Sequence, residues 1–253
     1  MFKLIAILFL SIIAFAKEIP CDKIIDNGII KICYNNIAKG ANYVDYVVSG
    51  KNVNLYNIKK RPRFYRDKHI NKKNSTTAND YINTTDSLTH KIYFDRGHMA
   101  PDADFDYSKK TLLKVYTMAN IVPQRSELNK YAWKKIEERE RQLAIRENRV
   151  NVRSGALYEN YNLYLDKRDF SDIIKDRERK YHKDYSDTYL KKQYKKYLKY
   201  KKRLKKKHIL IPTKLYKIIS YNNKKECYFF DNIKNKLISN SCIALDNYLS
   251  NEK

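Results

Sequence analysis

Short runs of β-branched and aromatic residues dominate the hydrophobic pattern of the chain. They cover, in order, residues 29–36, 43–48, 91–94, 150–155, 209–212, 216–220 and 227–230. Their content of Val, Ile, Tyr and Phe predicts strands, the fourth run leading into a turn at Gly155. Residues 68–87 lack apolar periodicity and predict a polar surface loop.

One segment has the spacing of a helix instead. Ser126 marks its start, and Trp133, Ile136 and Leu143 recur on one face before the pattern stops near Asn148. Trp133 is expected in the core because it lies on that apolar face. Strand and helical segments follow one another without a linker that would divide them, which predicts a single α+β domain over residues 17–253.

The first sixteen residues have the pattern of a signal peptide. Lys3 supplies a positive charge, Leu4 to Ile13 is apolar apart from Ser11, and Ala14-Phe15-Ala16 matches a peptidase site. The apolar run is shorter than the ~20 residues of a membrane-spanning helix. The sequence therefore predicts a signal peptide at 1–16 and a periplasmic or secreted protein with no membrane segment after cleavage. An uncleaved N-terminal anchor is the alternative.

Four cysteines fit an oxidising compartment. Cys21 and Cys33 lie near the predicted mature N-terminus, and Cys227 and Cys242 lie near the C-terminus. Four cysteines allow three connectivities, and the cost of loop closure favours the two local pairs. A zinc site is disfavoured because the chain has no CxxC pair.

The chain is strongly basic. Its 53 Lys and Arg against 28 Asp and Glu give a formal net charge of +25, with 43% hydrophobic residues. Such an excess indicates a polyanionic partner such as nucleic acid, anionic lipid or an acidic polysaccharide. A genome biased towards codons for Lys, Asn, Ile and Tyr would produce the same composition, so charge alone does not decide the function.

Three ordered blocks carry the chemistry. They are Asp95-Arg96-Gly97-His98-Met99-Ala100-Pro101, then Met118-Ala119-Asn120-Ile121-Val122-Pro123-Gln124, then Leu128-Asn129 with Trp133 and Glu137. In order and spacing they resemble the DNA/RNA non-specific endonucleases, and weaker likeness covers most of the rest of the chain. The resemblance implies a ββα-metal (His-Me finger) nuclease fold on an antiparallel sheet core, with DNA and RNA as substrates.

The same resemblance assigns the central roles. His98 matches the general base that activates water, since an imidazole accepts a proton near neutral pH. Asn129 matches the single protein ligand of a Mg²⁺ ion, with Mn²⁺ able to substitute. In a regular helix Glu137 lies about 80° around and about 12 Å along from Asn129, so it is expected to order waters on the metal. A solvated charge is the alternative for Glu137.

Several further residues match the family's active site. Arg96 and Asn120 are expected to order the loop and the phosphate, whereas Asp95 is expected to be structural. The family also uses an upstream arginine to stabilise the charge of the transition state. Arg63 is favoured for that role, with Arg61 close behind and Arg66 as the third choice.

The chain departs from the family between residues 160 and 208, where about forty extra residues intervene. Thr188 to Lys207 holds eleven Lys or Arg and no acid, with an apolar stripe at helical spacing. This basic helical insertion predicts either a nucleic-acid-binding arm, in which Lys191, Lys192, Lys195 and Lys196 contact phosphate, or a solvated insertion that reflects composition.

These observations predict an exported, Mg²⁺-dependent endonuclease without sequence preference. The first alternative is a secreted nucleic-acid-binding protein without catalytic activity, which would have no need of His98 and Asn129 together. A second alternative is a membrane-active cationic protein, which would depend on the 188–207 helix alone.

Overall fold

Antiparallel strands form the framework of the protein, and a computed structural model describes residues 20–251. The strands are β1 Lys23–Asp26, β2 Ile30–Asn35, β3 Gly40–Ser49, β4 Thr84–Asp86, β5 Phe94–His98, β6 Ile121–Arg125, β7 Arg149–Leu157, β8 Leu165–Lys167, β9 Lys214–Tyr221, β10 Lys224–Asp231 and β11 Lys236–Ser239. The α-helices are α1 Lys109–Val115, α2 Ser126–Leu128, α3 Lys134–Glu147, α4 Phe170–Tyr181, α5 Asp187–Lys207 and α6 Cys242–Asn251. This mixture confirms the predicted α+β class. The predicted signal peptide lies outside the described residues.

The largest sheet has the strand order β1-β2-β3-β7-β9-β10-β11, and all neighbours are antiparallel. Five predicted runs fall in β2, β3, β7, β9 and β10. The predicted turn at Gly155 is wrong, because β7 continues through it to Leu157. Gly155 is needed there for packing, since a Cβ would lie 1.9 Å from the ring of Tyr216 on the neighbouring strand.

Strand β9 shows how the sheet separates two cores. Leu215 and Ile219 pack into the large core together with Trp133 and Leu143, whereas Tyr216 faces a smaller cluster that includes Leu245 of α6. Alternation along a strand sends successive side chains to opposite faces. Trp133 is fully buried, as predicted from the helical pattern.

A separate two-stranded ribbon carries the main sequence motif. Strands β5 and β6 pair antiparallel, with Gly97 opposite Val122 and His98 opposite Ile121. The predicted strand at 91–94 is therefore misplaced, because pairing begins at Phe94 and continues through the motif. Gly97 is required by this pairing: a Cβ there would lie 2.3 Å from Oε1 of Gln124.

The predicted polar surface loop at 68–87 is wrong. Its second half contains a 3-10 helix, Ala78–Tyr81, and strand β4, which pairs with β8. Asp80 and Asp86 are buried there, and Asp86 accepts hydrogen bonds from backbone N–H groups of residues 88–92. Polar residues can be buried when their hydrogen bonds are satisfied internally, and apolar periodicity cannot detect this.

Residues 209–212 are also not a strand of the large sheet. Leu210 forms one isolated bridge with Tyr164, and Ile209 and Ile211 fill a second core with Leu204. Pro212 lacks the N–H group that a continuing ladder would need. The apolar run is therefore buried as core rather than paired as a strand.

The inserted segment folds as two helices, α4 and α5. Helix α5 begins at Asp187 after the Ser186 cap, which agrees with the predicted basic helix. Most of α5 is exposed, but Leu204 in its last full turn is buried. There Asp80 accepts from Arg203 at 3.1 Å and also pairs with Lys207 at 2.5 Å. The insertion is thus attached to the body through the end of α5.

Two disulfides join segments near each end of the described chain. Cys21 is bonded to Cys33, and Cys227 to Cys242, which are the two local pairs that the sequence favoured. The second disulfide ties α6 to β10. Across residues 20–251, every helix is too short or too polar to traverse a bilayer.

Candidate active site

His98 lies at the end of β5, where the ribbon meets an aromatic cluster. Its ring centroid is 5.3 Å from that of Phe64 and 5.1 Å from that of Tyr116. Nε2 of His98 is buried and has no hydrogen-bond partner among the described residues. The pKa of His98 is lowered to about 4, mainly by burial; Arg96 and Arg61 contribute to the lowering, and Asp102 opposes it. The imidazole is therefore neutral at physiological pH, and the hydrogen-bonding capacity of Nε2 is unused within the described residues.

Asp102 organises the charges beside His98. It accepts a hydrogen bond from the Tyr116 hydroxyl at 2.7 Å and lies 3.2 Å from Nε of Arg61. Arg61 also donates to Asp106 at 3.1 Å. The Arg61 guanidinium is thus already bound by two carboxylates. Sequence reasoning missed Asp102 and Tyr116, although Asp102 directly follows the first motif block.

The three candidate arginines occupy different environments. Arg61 lies beside His98 in the cluster just described, and Nε of Arg66 is buried without a hydrogen-bond partner. Arg63 is exposed, and within residues 20–251 no ion pair or hydrogen bond engages its guanidinium. No described contact joins Arg63 to His98, so the structure brings Arg61, and not Arg63, into contact with the cluster.

Arg96 projects from β5 on the same side of the site. Its guanidinium carbon lies 5.0 Å from the centre of the Phe64 ring, and Nη1 donates to the carbonyl oxygen of Ala78 at 3.4 Å. Arg96 is exposed and forms no ion pair within the part of the chain that the structure describes. Its charge is available to an anionic ligand next to His98.

Asn120 is buried beneath the loop that follows His98. Its amide nitrogen donates to the carbonyl oxygens of Ala100 and Val115, both at 2.9 Å, and its Oδ1 accepts from the Ala100 N–H at 2.9 Å. Both amide N–H groups are therefore used by the backbone. Asn120 orders the loop, as expected, but has no free donor for a phosphate.

Asn129 lies at the junction of the ribbon and the long helix. Nδ2 of Asn129 donates to Asp95 at 3.2 Å, and the Ser126 hydroxyl donates to the other oxygen of Asp95 at 2.9 Å. This arrangement leaves Oδ1 of Asn129 without a partner among the described residues. A carboxamide oxygen is a suitable ligand for a hard cation that keeps most of its waters.

The helix that follows is not regular. A π-helical turn spans Asn129–Trp133 before α3 begins. The wider turn absorbs one residue, so the separation from Asn129 to Glu137 corresponds to about seven residues, or about two turns, of regular helix. Glu137 therefore lies nearly in line with Asn129, rather than about 80° away as predicted for a regular helix.

Glu137 faces a polar cluster inside the protein. The pKa of Glu137 is raised to about 7, mainly by burial. Glu140 and Asp102 contribute to the increase, and Lys217 and Arg141 oppose it. Below Glu137, Glu140 and Lys217 form a fully buried ion pair with a distance of 2.9 Å, and the Tyr46 hydroxyl donates to Glu140 at 3.1 Å. Within the described residues no group of three or more His, Cys, Asp or Glu could hold a metal. Any metal at this site would thus depend on few protein ligands.

The four lysines predicted to bind nucleic acid are all exposed on α5. They are Lys191, Lys192, Lys195 and Lys196. The cluster around His98 lies on other elements, and α5 reaches it through the 3-10 helix at Ala78–Tyr81, which contacts both Arg203 and Arg96. The structure therefore does not bring these lysines into the His98 cluster.

Solved structures include proteins of similar fold. A structure of EndoG bound to its inhibitor EndoGI superposes with a TM-score of 0.54, covering 86% of this chain and 76% of that chain at 19% identity. The likeness confirms the ββα-metal nuclease fold.

Sequence relatives agree with the fold. Mitochondrial endonuclease G of Bos taurus is 26% identical over 127 residues, covering 50% of this chain and 40% of that protein. Mitochondrial nuclease EXOG of Xenopus laevis is 34% identical over 99 residues, covering 39% and 25%. A nuclease of Nostoc sp. is 26% identical over 124 residues, covering 49% and 42%. The matched regions span less than half of each relative. A sequence model of DNA/RNA non-specific endonucleases matches residues 14–250, and the chain belongs to that family.

Proposed function

We propose that the protein is an exported endonuclease that hydrolyses phosphodiester bonds of DNA and RNA without sequence preference and requires one Mg²⁺ ion. One observation carries the proposal. The neutral, unpartnered Nε2 of His98 lies on the same ribbon as Asp95, which holds the amide of Asn129 with its oxygen free. A base and a metal ligand are thus fixed by one element.

His98 acts as the general base. A water molecule loses its proton to a neutral ring nitrogen of His98 as its oxygen attacks phosphorus; the P–O bond to the sugar breaks, and the leaving oxygen takes up a proton from solvent water. The contacts of the ring with Phe64 and Tyr116 hold it in place and exclude bulk water from its faces.

Positive charge stabilises the transition state. Arg96 is next to His98 and has no carboxylate partner among residues 20–251, so its guanidinium can bind a phosphoryl oxygen. Arg63 is also exposed and has no carboxylate partner among residues 20–251, and we assign it a second phosphate contact. Arg61 is bound by Asp102 and Asp106, so it positions the cluster instead.

Asn129 would supply the direct protein ligand to Mg²⁺ through Oδ1. Glu137 lies nearly in line with Asn129 on the helix and would accept hydrogen bonds from waters of the ion. When bound, the ion would neutralise developing negative charge on the phosphate. Asp95 fixes the orientation of the Asn129 amide, so that the oxygen rather than the nitrogen is presented.

Export is supported by two features. The first sixteen residues have the pattern of a signal peptide, and two disulfides join Cys21 to Cys33 and Cys227 to Cys242. Disulfides persist in oxidising compartments and are rare in the cytosol. We therefore place the mature enzyme in the periplasm or outside the cell.

The test compares two histidines. Purified protein is incubated with plasmid DNA and with RNA, in Mg²⁺ or in EDTA, together with the His98→Asn and His90→Asn variants. His90 is exposed and has a positive φ that asparagine tolerates, so its replacement is a matched control. We expect His98→Asn to lose roughly two to four orders of magnitude of activity and His90→Asn to lose none. Binding without hydrolysis by the unmodified protein would instead identify a nucleic-acid-binding protein without catalytic activity.

A further inference from the structure

The two inserted helices enclose a pocket that the site around His98 does not use. A cavity of about 220 Å³ lies between α4, α5 and residues 79–83. Its lining includes the aromatic rings of Phe170, Tyr197 and Tyr200 and the buried aliphatic side chains of Ile173 and Ile174. The pocket thus offers aromatic side chains and apolar walls on a helix pair that is otherwise very polar. One face of the Tyr200 ring is covered by Arg203, whose guanidinium carbon lies 4.9 Å from the ring centre.

The rim of the pocket is positively charged. Arg177 and Lys196 line it from opposite helices, Lys167 lines its base, and no acidic residue lies among its lining residues. Within residues 20–251, neither Arg177 nor Lys196 forms an ion pair. Asn79, Asn83 and Gln193 add amide donors and acceptors. A ligand that suits these walls has a flat ring system, polar ring edges and a negative charge.

We propose that this pocket binds one nucleotide of a single-stranded nucleic acid, with the base against the aromatic rings and its phosphate at Arg177 and Lys196. Aromatic stacking beside a basic surface is how proteins hold single strands without sequence preference. The cavity is smaller than the roughly 300 Å³ of a pocket for a drug-sized ligand, so one base fits rather than a longer segment. The ligand class rests on the proposed nuclease function.

The position of the pocket fits a substrate that also reaches His98. Asn79, in the pocket wall, follows Ala78, whose carbonyl oxygen accepts from Arg96. The same 3-10 helix contains Asp80, to which α5 is attached. One short helix therefore joins the pocket wall to the strand that carries His98.

The proposal distinguishes two faces of α5. Residues 193, 196, 197 and 200 line the pocket and lie on one face of the helix. At about 100° per residue, Lys195 and Lys202 lie on the opposite face. Both are exposed. They provide a control that removes the same total charge from the inserted helices, away from the pocket.

The experiment uses a His98→Ala background and a fluorescein-labelled oligothymidylate of ten nucleotides, with anisotropy as the readout. We expect Arg177→Gln/Lys196→Gln to weaken binding at least tenfold, and Lys195→Gln/Lys202→Gln to weaken it by less than threefold. Tyr200→Leu should weaken it about tenfold, as the loss of one stacked base does, whereas the exposed Tyr161→Leu should not. Equal weakening by both charge pairs would overturn the pocket in favour of diffuse attraction.

A second measurement does not depend on variants. Ultraviolet cross-linking of the same oligothymidylate to the His98→Ala protein, followed by peptide mass spectrometry, should place the cross-link at Tyr197 or Tyr200. Cross-links confined to peptides outside α4 and α5 would overturn the proposal. Tighter binding of a duplex than of the single strand would also overturn it. Plasmid hydrolysis by the unmodified protein is assayed separately, so failure of the nuclease proposal and failure of the pocket give different results.

Discussion

Asp95 holds Asn129 by its amide nitrogen, at 3.2 Å, and thereby joins the first block of the sequence motif to the helix of the third. The carboxylate can only accept a hydrogen bond, so it selects the orientation in which the asparagine oxygen faces away from it. Asp95 also accepts from Ser126 at 2.9 Å, which fixes the carboxylate itself. The Asp95 side chain therefore determines that Oδ1 of Asn129, and not its amide nitrogen, points away from the ribbon's carboxylate.

Replacing Asn129 or Asp95 should change the metal requirement of the enzyme. Asn129→Ala removes the direct ligand, and Asp95→Asn removes the charge that orients it, so both should raise the Mg²⁺ concentration for half-maximal activity. We expect at least a tenfold increase for Asn129→Ala and a smaller one for Asp95→Asn, with activity largely restored at saturating metal in the second case. The measurement is a Mg²⁺ titration of plasmid cleavage.

Glu137 and Glu138 provide a matched pair on the same helix. Glu137→Gln should lower activity at limiting Mg²⁺, because the neutral amide holds the waters of the ion less strongly. Glu138 is exposed and pairs only with Lys134 at 3.9 Å, so Glu138→Gln should leave the titration unchanged. Equal metal dependence of both variants would show that Glu137 is a solvated charge.

The pH below which activity falls should be unusually low for an enzyme with a histidine base. Burial lowers the pKa of His98 to about 4, so the imidazole stays neutral far below the usual value near 6.5. At saturating Mg²⁺, where protonation of Glu137 matters least, we expect kcat/KM, which reports the free enzyme, to stay nearly constant from pH 7 to about pH 5 and to fall below that. An unshifted histidine would already have lost about tenfold at pH 5.5.

Arg96 contributes to that shift and can be used to move it. Its positive charge disfavours a second positive charge on His98, so Arg96→Gln should raise the pKa of His98 and move the acid limb to higher pH. The variant should also be slower throughout, since it lacks a phosphate contact. A slower enzyme with an unmoved acid limb would mean that Arg96 does not act on His98.

The buried ion pair beneath the site should matter for stability. Both side chains of Lys217 and Glu140 are fully buried, and Lys217 also donates to Tyr46 at 2.9 Å. Lys217→Met leaves the carboxylate of Glu140 without its charge partner, which should cost about 3–5 kcal/mol of unfolding free energy. Urea denaturation measures the loss. The double variant Lys217→Met/Glu140→Leu should recover much of it, because no buried charge then remains unpaired.

The disulfide between Cys227 and Cys242 should contribute measurably as well. It closes a loop with a sequence separation of 15, which is worth about 3 kcal/mol in the chain-entropy model. Replacing both cysteines by alanine should lower the free energy of unfolding by about that amount. Ile243→Ala, an adjacent change at a side chain that is 74% exposed, serves as the control and should have little effect. Peptide mapping that finds both thiols free in the oxidised protein would contradict the pairing.

Sequence patterns located most of the sheet but not its polar surroundings. Runs rich in β-branched and aromatic residues fall in β2, β3, β7, β9 and β10, because such side chains pack well on the half-buried surface of a sheet. Residues 68–87 were misassigned because Asp80 and Asp86 are buried with satisfied hydrogen bonds. The charged partners of Asp80, Arg203 and Lys207, are more than 120 positions away. No local pattern contains those contacts.

The sequence named the candidate site residues but did not predict how they are arranged. The motif identified His98, Asn129 and Glu137 because their spacing is a family signature. It could not show that a π-helical turn brings Glu137 nearly into line with Asn129, since π turns have no clear sequence signal. Nor could it show that Asn120 uses its amide for Ala100 and Val115, which depends on contacts between separate segments.

The attachment of α5 through Asp80 also determines how this helix opens. Burial alone would raise the pKa of Asp80, but the hydrogen bond and charge of Lys207 lower it below its ordinary value, so the carboxylate stays ionised and bound. The first turns of α5 are only partly buried and can fray without breaking that contact, whereas the last turn opens only together with the 3-10 helix beneath it. Backbone amides near Leu204 should therefore exchange with solvent deuterium at the slow rate of the β5–β6 ribbon, and those near Leu190 at the rate of an isolated helix.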